Sequence, residues 1–67
     1  MLVSDFLALE INRIEEYAIH RADSPVIEEY SREEVLSEFG DEDLAGWSVS
    51  ADINGADEAF PVIEIFF

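Results

Sequence analysis

The side chains of this chain that could do chemistry are almost all carboxylates. Seventeen Asp and Glu residues stand against three Arg, one His and neither Lys nor Cys, which gives a formal charge of −14 over 67 residues. Paired carboxylates can hydrolyse glycosidic bonds, and carboxylate oxygens can bind divalent cations. An array of carboxylates can also bind a cationic partner through charge-assisted hydrogen bonds.

Catalysis is the least favoured of these uses. His20 is the one histidine, no cysteine is present, and no nucleophile-elbow sequence surrounds a serine. Among so many carboxylates, pairs at catalytic separations arise by chance, and a chain of this size offers little cleft. We expect His20 to be a partly exposed residue at a helix end, and we predict that the chain is not an enzyme.

A weak calcium-loop pattern begins at Asp41. Asp41, Asp43 and Gly46 occupy the first, third and sixth positions of such a loop. The fifth position is Ala45, which lacks an oxygen ligand, and the twelfth is Asp52 instead of Glu. Loose association of counter-ions is the better expectation, and we predict no cofactor and no structural metal.

The carboxylates are concentrated in residues 28–43, which we call the acidic segment. Half of its sixteen residues are acidic, and Arg32 is its single basic residue. The acids are Glu28, Glu29, Glu33, Glu34, Glu38, Asp41, Glu42 and Asp43. A run of charges usually marks a solvated helix face, but ordinary solvated surfaces mix both signs. We therefore predict that the acidic segment contacts a basic partner, with Tyr30 adding apolar contact and with Asp57 and Glu58 as an accessory patch.

The elements that position these residues begin with a helix. Ser4 is the expected N-cap, and the helix is predicted to run for about 15 residues, ending near His20 and Arg21. Apolar residues at helical spacing form its buried stripe, namely Leu7, Ile11, Ile14 and Ala18.

Two start signals follow in the middle of the chain. Ser24 and Pro25 resemble a helix start, and Ser31 with Glu34 forms a capping-box pattern. A continuous helix from Pro25 to Phe39 would place the apolar residues of its two halves on opposite sides. We therefore predict a short turn from Pro25, a break near Ser31, and a short helix from residue 32 to Phe39 that ends at Gly40.

The remaining residues predict a hairpin. Apolar and polar residues alternate from Trp47 to Ile53, which indicates a half-buried strand. A tight turn at Asn54 and Gly55 would place Glu58 on the buried face. The partner strand is therefore predicted at 62–67, after a connection spanning 54–61. A third strand could come from residues 1–3, from 26–30, or from a second copy of the chain.

Together these elements predict a single α+β domain over residues 1–67, in which the amino-terminal helix and short helices pack on a small antiparallel sheet. The hydrophobic content of 49% argues against disorder. The predicted core is Leu7, Ile11, Ile14, Ala18, Val35, Leu36, Phe39, Leu44, Trp47, Val49, Ala51, Ile53, Ile63, Ile65 and Phe67. A monomer or a small homo-oligomer is expected at this size.

Location and partners follow from the same composition. The amino terminus lacks the basic region of a secretory signal, and no apolar run reaches the roughly 20 residues that span a bilayer. Nucleic acid and anionic membrane surfaces would repel the chain. We therefore predict a cytoplasmic protein that binds a basic protein partner, and neither nucleic acid nor membrane directly.

The whole chain resembles, in character, the small acidic phage-encoded anti-CRISPR proteins. The features that carry the resemblance are the length, the absence of Lys and Cys, the acidic stretch SPVIEEYSREEVLSEFGDED and the closing hairpin WSVSADINGADEAFPVIEIFF. The resemblance implies a DNA mimic that binds the basic surface of a type I Cascade, such as type I-C, in the cytoplasm of an infected bacterium. These inhibitors share no common motif, so no functional residue is transferred by position.

Two other functions remain open from the sequence. The chain could be an acidic interaction module or an antitoxin-like partner of a basic host protein. It could also be a small protein adapted to high salt, since acidic surfaces that lack lysine stay soluble there.

Overall fold

The computed structural model describes residues 1–11 and 13–67, and two helices and four strands lie within them. In chain order the elements are α1 (Val3–Leu9), β1 (Glu16–His20), β2 (Ile27–Ser31), α2 (Arg32–Phe39), β3 (Gly46–Ile53) and β4 (Ala59–Phe66). The α+β class predicted from the sequence is confirmed.

The four strands form one sheet in the order β2-β1-β4-β3. β1 pairs with β2, and β3 with β4, in antiparallel fashion. The two central strands, β1 and β4, are parallel, with Tyr17 opposite Ile63 and Ile19 opposite Ile65. The sheet is therefore mixed, and the prediction of a wholly antiparallel sheet is wrong.

The core lies between one face of the sheet and the two helices. Its buried residues are Val3, Phe6, Leu7, Tyr17, Ile19, Val35, Phe39, Ile63 and Ile65. Ile14, Tyr30, Leu44 and Phe67 are partly buried against this cluster. The register puts Glu16, Ala18 and His20 of β1 on the other face, together with Glu64 of β4. Both helices pack on the first face, so they leave the second face open.

The long amino-terminal helix is the main error of the sequence prediction. α1 ends at Leu9, and residues 16–20 form a strand. Arg13 has a φ of 51°, in the left-handed region that a helix does not contain. Tyr17 and Ile19 alternate with more polar neighbours, and pairing with two other strands stabilises that strand pattern over the helical one. Leu2, rather than Ser4, occupies the N-cap position.

The four residues of the predicted apolar stripe, Leu7, Ile11, Ile14 and Ala18, therefore lie in different environments. Leu7 stays in the core, but the side chain of Ile11 is 88% exposed. Ile14 is only partly buried. Ala18 is buried in β1, but on the face away from the helices.

The region around Ser31 was predicted in part correctly. The capping box exists: Glu34 N–H donates to Ser31 Oγ at 3.2 Å, and Ser31 N–H donates to Glu34 Oε1 at 3.0 Å. The helix covers the predicted residues and is followed by Gly40. The predicted turn from Pro25 is wrong, because the chain continues into β2. This confirms the alternative of a third strand in this region, since β2 pairs along the whole of β1.

The carboxyl-terminal hairpin is confirmed, with a shorter connection than predicted. Ile53 pairs with Ala59, so that residues 54–58 form the turn and the second strand begins three residues before Val62. Asn54 Oδ1 accepts hydrogen bonds from the N–H groups of Ala56 and Glu58 at 2.8 and 3.1 Å, which fixes this turn.

The prediction that β3 buries an apolar face is wrong. Four side chains predicted in the core are exposed, those of Trp47, Val49, Ala51 and Ile53. α1 has seven residues and is about 10 Å long, whereas the eight residues of β3 extend over about 26 Å. The helix therefore covers only one end of the strand, where the Phe6 and Trp47 rings lie 5.1 Å apart. Leu36, also predicted in the core, is 50% exposed.

Candidate partner-binding surface

All eight carboxylates of the acidic segment belong to exposed residues. Glu28 and Glu29 lie on β2, the next three acids lie on α2, and the last three lie in the loop that leads to β3. β2 is an edge strand of the sheet, and α2 follows it directly. Five of the eight acids therefore lie at one side of the molecule on two regular elements, β2 and α2, and the other three lie in the loop after α2.

The one cation of the acidic segment is directed inward. Arg32 donates from Nη1 to Glu10 Oε2 at 3.0 Å and to the Tyr17 hydroxyl at 2.9 Å, and from Nη2 to the Leu7 carbonyl at 2.6 Å. The Arg32 and Glu10 side chains are only 15% and 9% exposed. Burial raises the pKa of Tyr17, and the charge of Arg32 partly opposes that shift. Arg32 is thus neutralised by an acid outside the segment.

α2 presents three acids around a shallow depression of about 300 Å³ that Ser31, Glu33, Glu34, Ser37 and Glu38 line. The hydrogen bond from the Ser31 backbone N–H, with a further contribution from the Ser31 side chain, lowers the pKa of Glu34. Glu34 therefore caps the helix and stays ionised, while Glu33 and Glu38 are the acids of α2 available to a partner. Glu34 and Glu38 are four residues apart, which places their Cβ atoms about 5–6 Å from each other, whereas Glu33 and Glu38 are five residues apart.

The two acids of β2 point to opposite faces of the sheet. Glu28 is opposite Ile19 and shares the helix-covered face, whereas Glu29 is opposite Ala18 on the open face. The Tyr30 hydroxyl donates to Glu28 Oε2. This hydrogen bond raises the pKa of Tyr30 to about 12.

Tyr30 itself is only partly available as the apolar contact predicted from the sequence. Its ring packs edge-on against Phe39, with centroids 5.2 Å apart. The Arg21 guanidinium lies over the Phe39 ring at 5.0 Å and over the Phe67 ring at 5.6 Å. A basic partner that approaches Tyr30 therefore meets a region that already holds one cation.

The open face of the sheet carries Glu16 and Glu64, which sequence reasoning missed, beside Glu29, which it predicted. Glu29 and Glu64 are the lateral neighbours of Ala18 on either side, and Glu16 lies on the same face. The sequence contained a signal for Glu16. More polar and more apolar residues alternate from 16 to 20, and in a strand Glu16, two residues before Ala18, lies on the same face as Ala18. With β1 taken as a helix, these side chains were not expected to share a surface.

The loop acids, Asp41, Glu42 and Asp43, lie apart from the accessory patch, Asp57 and Glu58. The Glu42 carbonyl accepts from Val3 N–H at 2.9 Å, which ties the loop to the start of α1. The carboxylate of Asp43 lies 3.6 Å from the amino group of Met1. Asp57 and Glu58 lie in the β3–β4 turn, in the half of the sheet away from β2. The structure therefore does not bring the accessory patch together with the acidic segment.

His20 belongs to a polar cluster on the open face. Its Nε2 lies 2.9 Å from Glu64 Oε1, its ring stacks on Phe66 at 4.4 Å, and Ser48 Oγ donates to Glu64 Oε2 at 3.3 Å. In a nucleophilic triad the imidazole contacts the hydroxyl directly. Here the carboxylate contacts both groups, which is the wrong order for that mechanism. His20 lies at the end of a strand, and the prediction of a helix end is wrong.

Within residues 1–11 and 13–67, no group of three or more His, Asp or Glu side chains has the geometry to hold a metal ion. No helix in this part of the chain is long and apolar enough to cross a membrane. No protein-family description, curated protein or solved structure matches the chain.

Proposed function

We propose that this chain is a non-enzymatic inhibitor that mimics nucleic acid. The observation that carries the proposal is the distribution of charge in the acidic segment. Its eight carboxylates are exposed, whereas its one cation, Arg32, is turned inward and paired with Glu10. The outward surface of the segment therefore has the single sign of a nucleic-acid backbone, and its outward side chains are acceptors for Arg and Lys.

The density of charge supports the same proposal. The longest dimension of the molecule is 35 Å. Duplex DNA carries one charge per about 1.7 Å of axis, so a segment of that length holds roughly 20 phosphates. The chain has 17 acids. A net charge this large opposes folding through self-repulsion, which is consistent with a role for the charge in binding.

The proposed target is the basic DNA-binding surface of a CRISPR effector complex, a type I Cascade such as that of type I-C. Arg and Lys side chains that would contact phosphate meet the carboxylates instead, with Arg in bidentate geometry where two oxygens are accessible. Occupation of this surface blocks the binding of target DNA without any chemical step. Attraction between opposite charges accelerates the encounter, and salt weakens it.

Two groups of acids are available for this contact. Glu33 and Glu38 on α2 form the first, and Glu29 with Glu16 on the open face of the sheet forms the second. The two groups lie on either side of edge strand β2. A groove that binds duplex DNA would surround this edge and contact both groups.

A competition experiment tests the proposal. Type I-C Cascade is incubated with labelled target duplex, and the chain is added while the bound duplex is measured by gel mobility. We expect the chain to displace the duplex, and excess unlabelled duplex to displace the chain. Stable binding of the chain with the duplex still bound would refute the mimicry.

A matched pair of variants separates local contacts from total charge. Glu33→Gln/Glu38→Gln and Asp57→Asn/Glu58→Gln each remove two exposed carboxylates and leave the same net charge, and the second pair lies in the β3–β4 turn, away from β2. We expect the first to weaken inhibition by about 10- to 100-fold, because each Gln keeps an acceptor but loses the charge, at about 1 kcal/mol per hydrogen bond. The control variant should change inhibition by less than about threefold, since exposed charges remote from the contact are screened. Equal effects of both variants would show that only the total charge matters.

The alternative of an acidic interaction module is favoured by one observation, the exposed apolar side chains of β3. Such a module binds a basic host protein without occupying its nucleic-acid site. In the same competition assay, duplex DNA and the chain would then bind together.

A further inference from the structure

The free edge of β3 offers backbone hydrogen bonds to another strand. Among the described residues, β3 pairs with β4 alone and ends the sheet. Asn54 N–H donates to the Glu58 carbonyl at 3.0 Å, one residue beyond the pair of Ile53 and Ala59. Hydrogen-bonded pairs alternate along an antiparallel ladder, so Asp52, Ser50 and Ser48 bond to β4. The N–H and C=O groups of the residues between them point to the open edge.

The direction of Ile53 agrees with this alternation. Its N–H donates to Asp52 Oδ1 at 2.8 Å instead of to β4. Trp47, Val49 and Ala51 have the same parity as Ile53, so their backbone groups also face outward. These three residues therefore provide a ladder edge for an added strand.

The side chains beside this edge form an apolar groove. Trp47 and Val49, which line it, are 54% and 57% exposed, and Ile53, further along the strand and outside the groove, is 65% exposed. The groove has a volume of about 480 Å³ and extends from Trp47 and Val49 to Leu9 and Ile11. Edge strands are normally protected by Lys, Pro or a bulge. β3 has neither Lys nor Pro, and it pairs with β4 residue for residue.

The negative charge around the edge of β3 favours a basic strand as the partner at this site. The hairpin of residues 46–66 contains Asp52, Asp57, Glu58 and Glu64 but no Lys or Arg. A second copy of the chain would bring the same four acids to the edge. A strand with basic side chains instead places them on the polar face of β3, beside Asp52 and near Glu64, which the register puts opposite Ser48.

We propose that β3 binds an extended segment of a partner protein in which Lys or Arg residues alternate with apolar residues. The segment adds to the sheet as a fifth strand, the mode of recognition known as strand addition. Its apolar side chains enter the groove beside Trp47 and Val49, and its basic side chains face Asp52 on the other side of the sheet. This site lies at the edge of the sheet opposite to β2 and does not depend on the function proposed for the acidic segment.

Three synthetic peptides test the proposal. The first is a blocked peptide of alternating Lys and Val with the length of β3. The second has the same composition with all Lys residues in one half, and the third is the alternating peptide with N-methyl groups on its ladder-facing amides. Each is titrated into the ¹⁵N-labelled chain, and amide shifts and hydrogen exchange are recorded. We expect the alternating peptide to bind at least about tenfold more tightly than the others, because only it forms the ladder and fills the groove.

The residues whose amide signals change on peptide addition distinguish between the possible outcomes. We expect the largest shifts and slowed exchange at the amides of Trp47, Val49 and Ala51. Equal binding of all three peptides, with shifts confined to residues 28–43, would overturn the proposal in favour of simple ion pairing. The same edge shifts on concentrating the chain without peptide would overturn it in favour of a second copy.

Two variants keep the test independent of folding and of total charge. Val49→Thr preserves the β-branched shape of an exposed strand residue, and we expect about fourfold weaker binding of the alternating peptide from the lost apolar contact. Glu33→Gln/Glu38→Gln, at the far edge, should change that affinity by less than about twofold at physiological salt. Unchanged binding to the Val49 variant with an intact spectrum would show that the groove is not used.

Discussion

The buried cluster of Arg32 permits a quantitative test of how this small domain is stabilised. Replacement of Arg32 by Met removes three hydrogen bonds, to Glu10, to the Tyr17 hydroxyl and to the Leu7 carbonyl. It also leaves the Glu10 carboxylate, which is 9% exposed, without the guanidinium. Removing one partner of a buried ion pair costs about 3–5 kcal/mol. Arg32 is 15% exposed, so the lower end, about 3 kcal/mol, is expected.

This loss is large in relation to the whole domain. A chain of 67 residues has an unfolding free energy of about 3–10 kcal/mol. Arg32→Met should therefore lower the midpoint of urea unfolding strongly or unfold the protein in buffer. Far-ultraviolet circular dichroism measures both outcomes. The double variant Arg32→Met/Glu10→Gln should recover about 1–2 kcal/mol of the loss, because the buried charge is gone.

Arg32→Lys is the matched control for charge. Lys keeps the positive charge but cannot reproduce the planar fork that reaches three acceptors, so its stability should lie between those of the wild type and the Met variant. A cost below about 1 kcal/mol for Arg32→Met would show that Arg32 and Glu10 behave as a solvent-exposed pair and not as a buried one. In that case the folding of the acidic segment would not depend on the inward direction of Arg32.

Three further predictions concern the caps and titrating groups. Ser31→Ala should cost about 1 kcal/mol at neutral pH, because Glu34 N–H loses its acceptor. The backbone N–H of residue 31, which Ala keeps, is the main cause of the lowered pKa of Glu34, so the stability of the wild type relative to Glu34→Gln in urea unfolding should shrink as the pH falls below the ordinary value of 4.5, and a constant difference would count against the capping box. Tyr30 should ionise near pH 12 in an ultraviolet titration, and Glu28→Gln should bring that ionisation closer to pH 10. The raised pKa of Tyr30 stabilises the folded state below pH 10, and this contribution is lost as the pH rises towards 12. Gly40→Ala should cost about 1–3 kcal/mol by calorimetry, because its Cβ would lie 2.5 Å from a backbone oxygen of α2, whereas an unchanged unfolding temperature would show that the loop adjusts.

Sequence patterns that involve residues close together in the chain predicted the local structure correctly where those patterns were strong. The capping box at Ser31 predicted the start of α2, because its two hydrogen bonds involve residues three apart and need no tertiary partner, and Gly40 predicted its end. The alternation from Trp47 to Ile53 predicted β3, and the position of Glu58 correctly excluded a two-residue turn. The exposed acids of the segment followed from composition alone.

The errors arose where distant pairing decides the conformation. Residues 16–20 fit a helical stripe, but Tyr17 and Ile19 pack against Ile63 and Ile65 of a parallel neighbour some 46 residues later. A single sequence contains no signal for this partner. The loss of the long helix also left β3 without a full cover, which is why a correct strand prediction gave a wrong prediction of burial.

We propose that the outward carboxylates of the acidic segment are the binding surface. The most direct measurement is the association constant of the chain for type I-C Cascade at increasing salt, compared between wild type and Glu33→Gln/Glu38→Gln. We predict that the logarithm of the constant falls steeply with the logarithm of salt concentration for the wild type, and less steeply for the variant. Wild-type binding that is insensitive to salt, or identical slopes for both proteins, would contradict the claim.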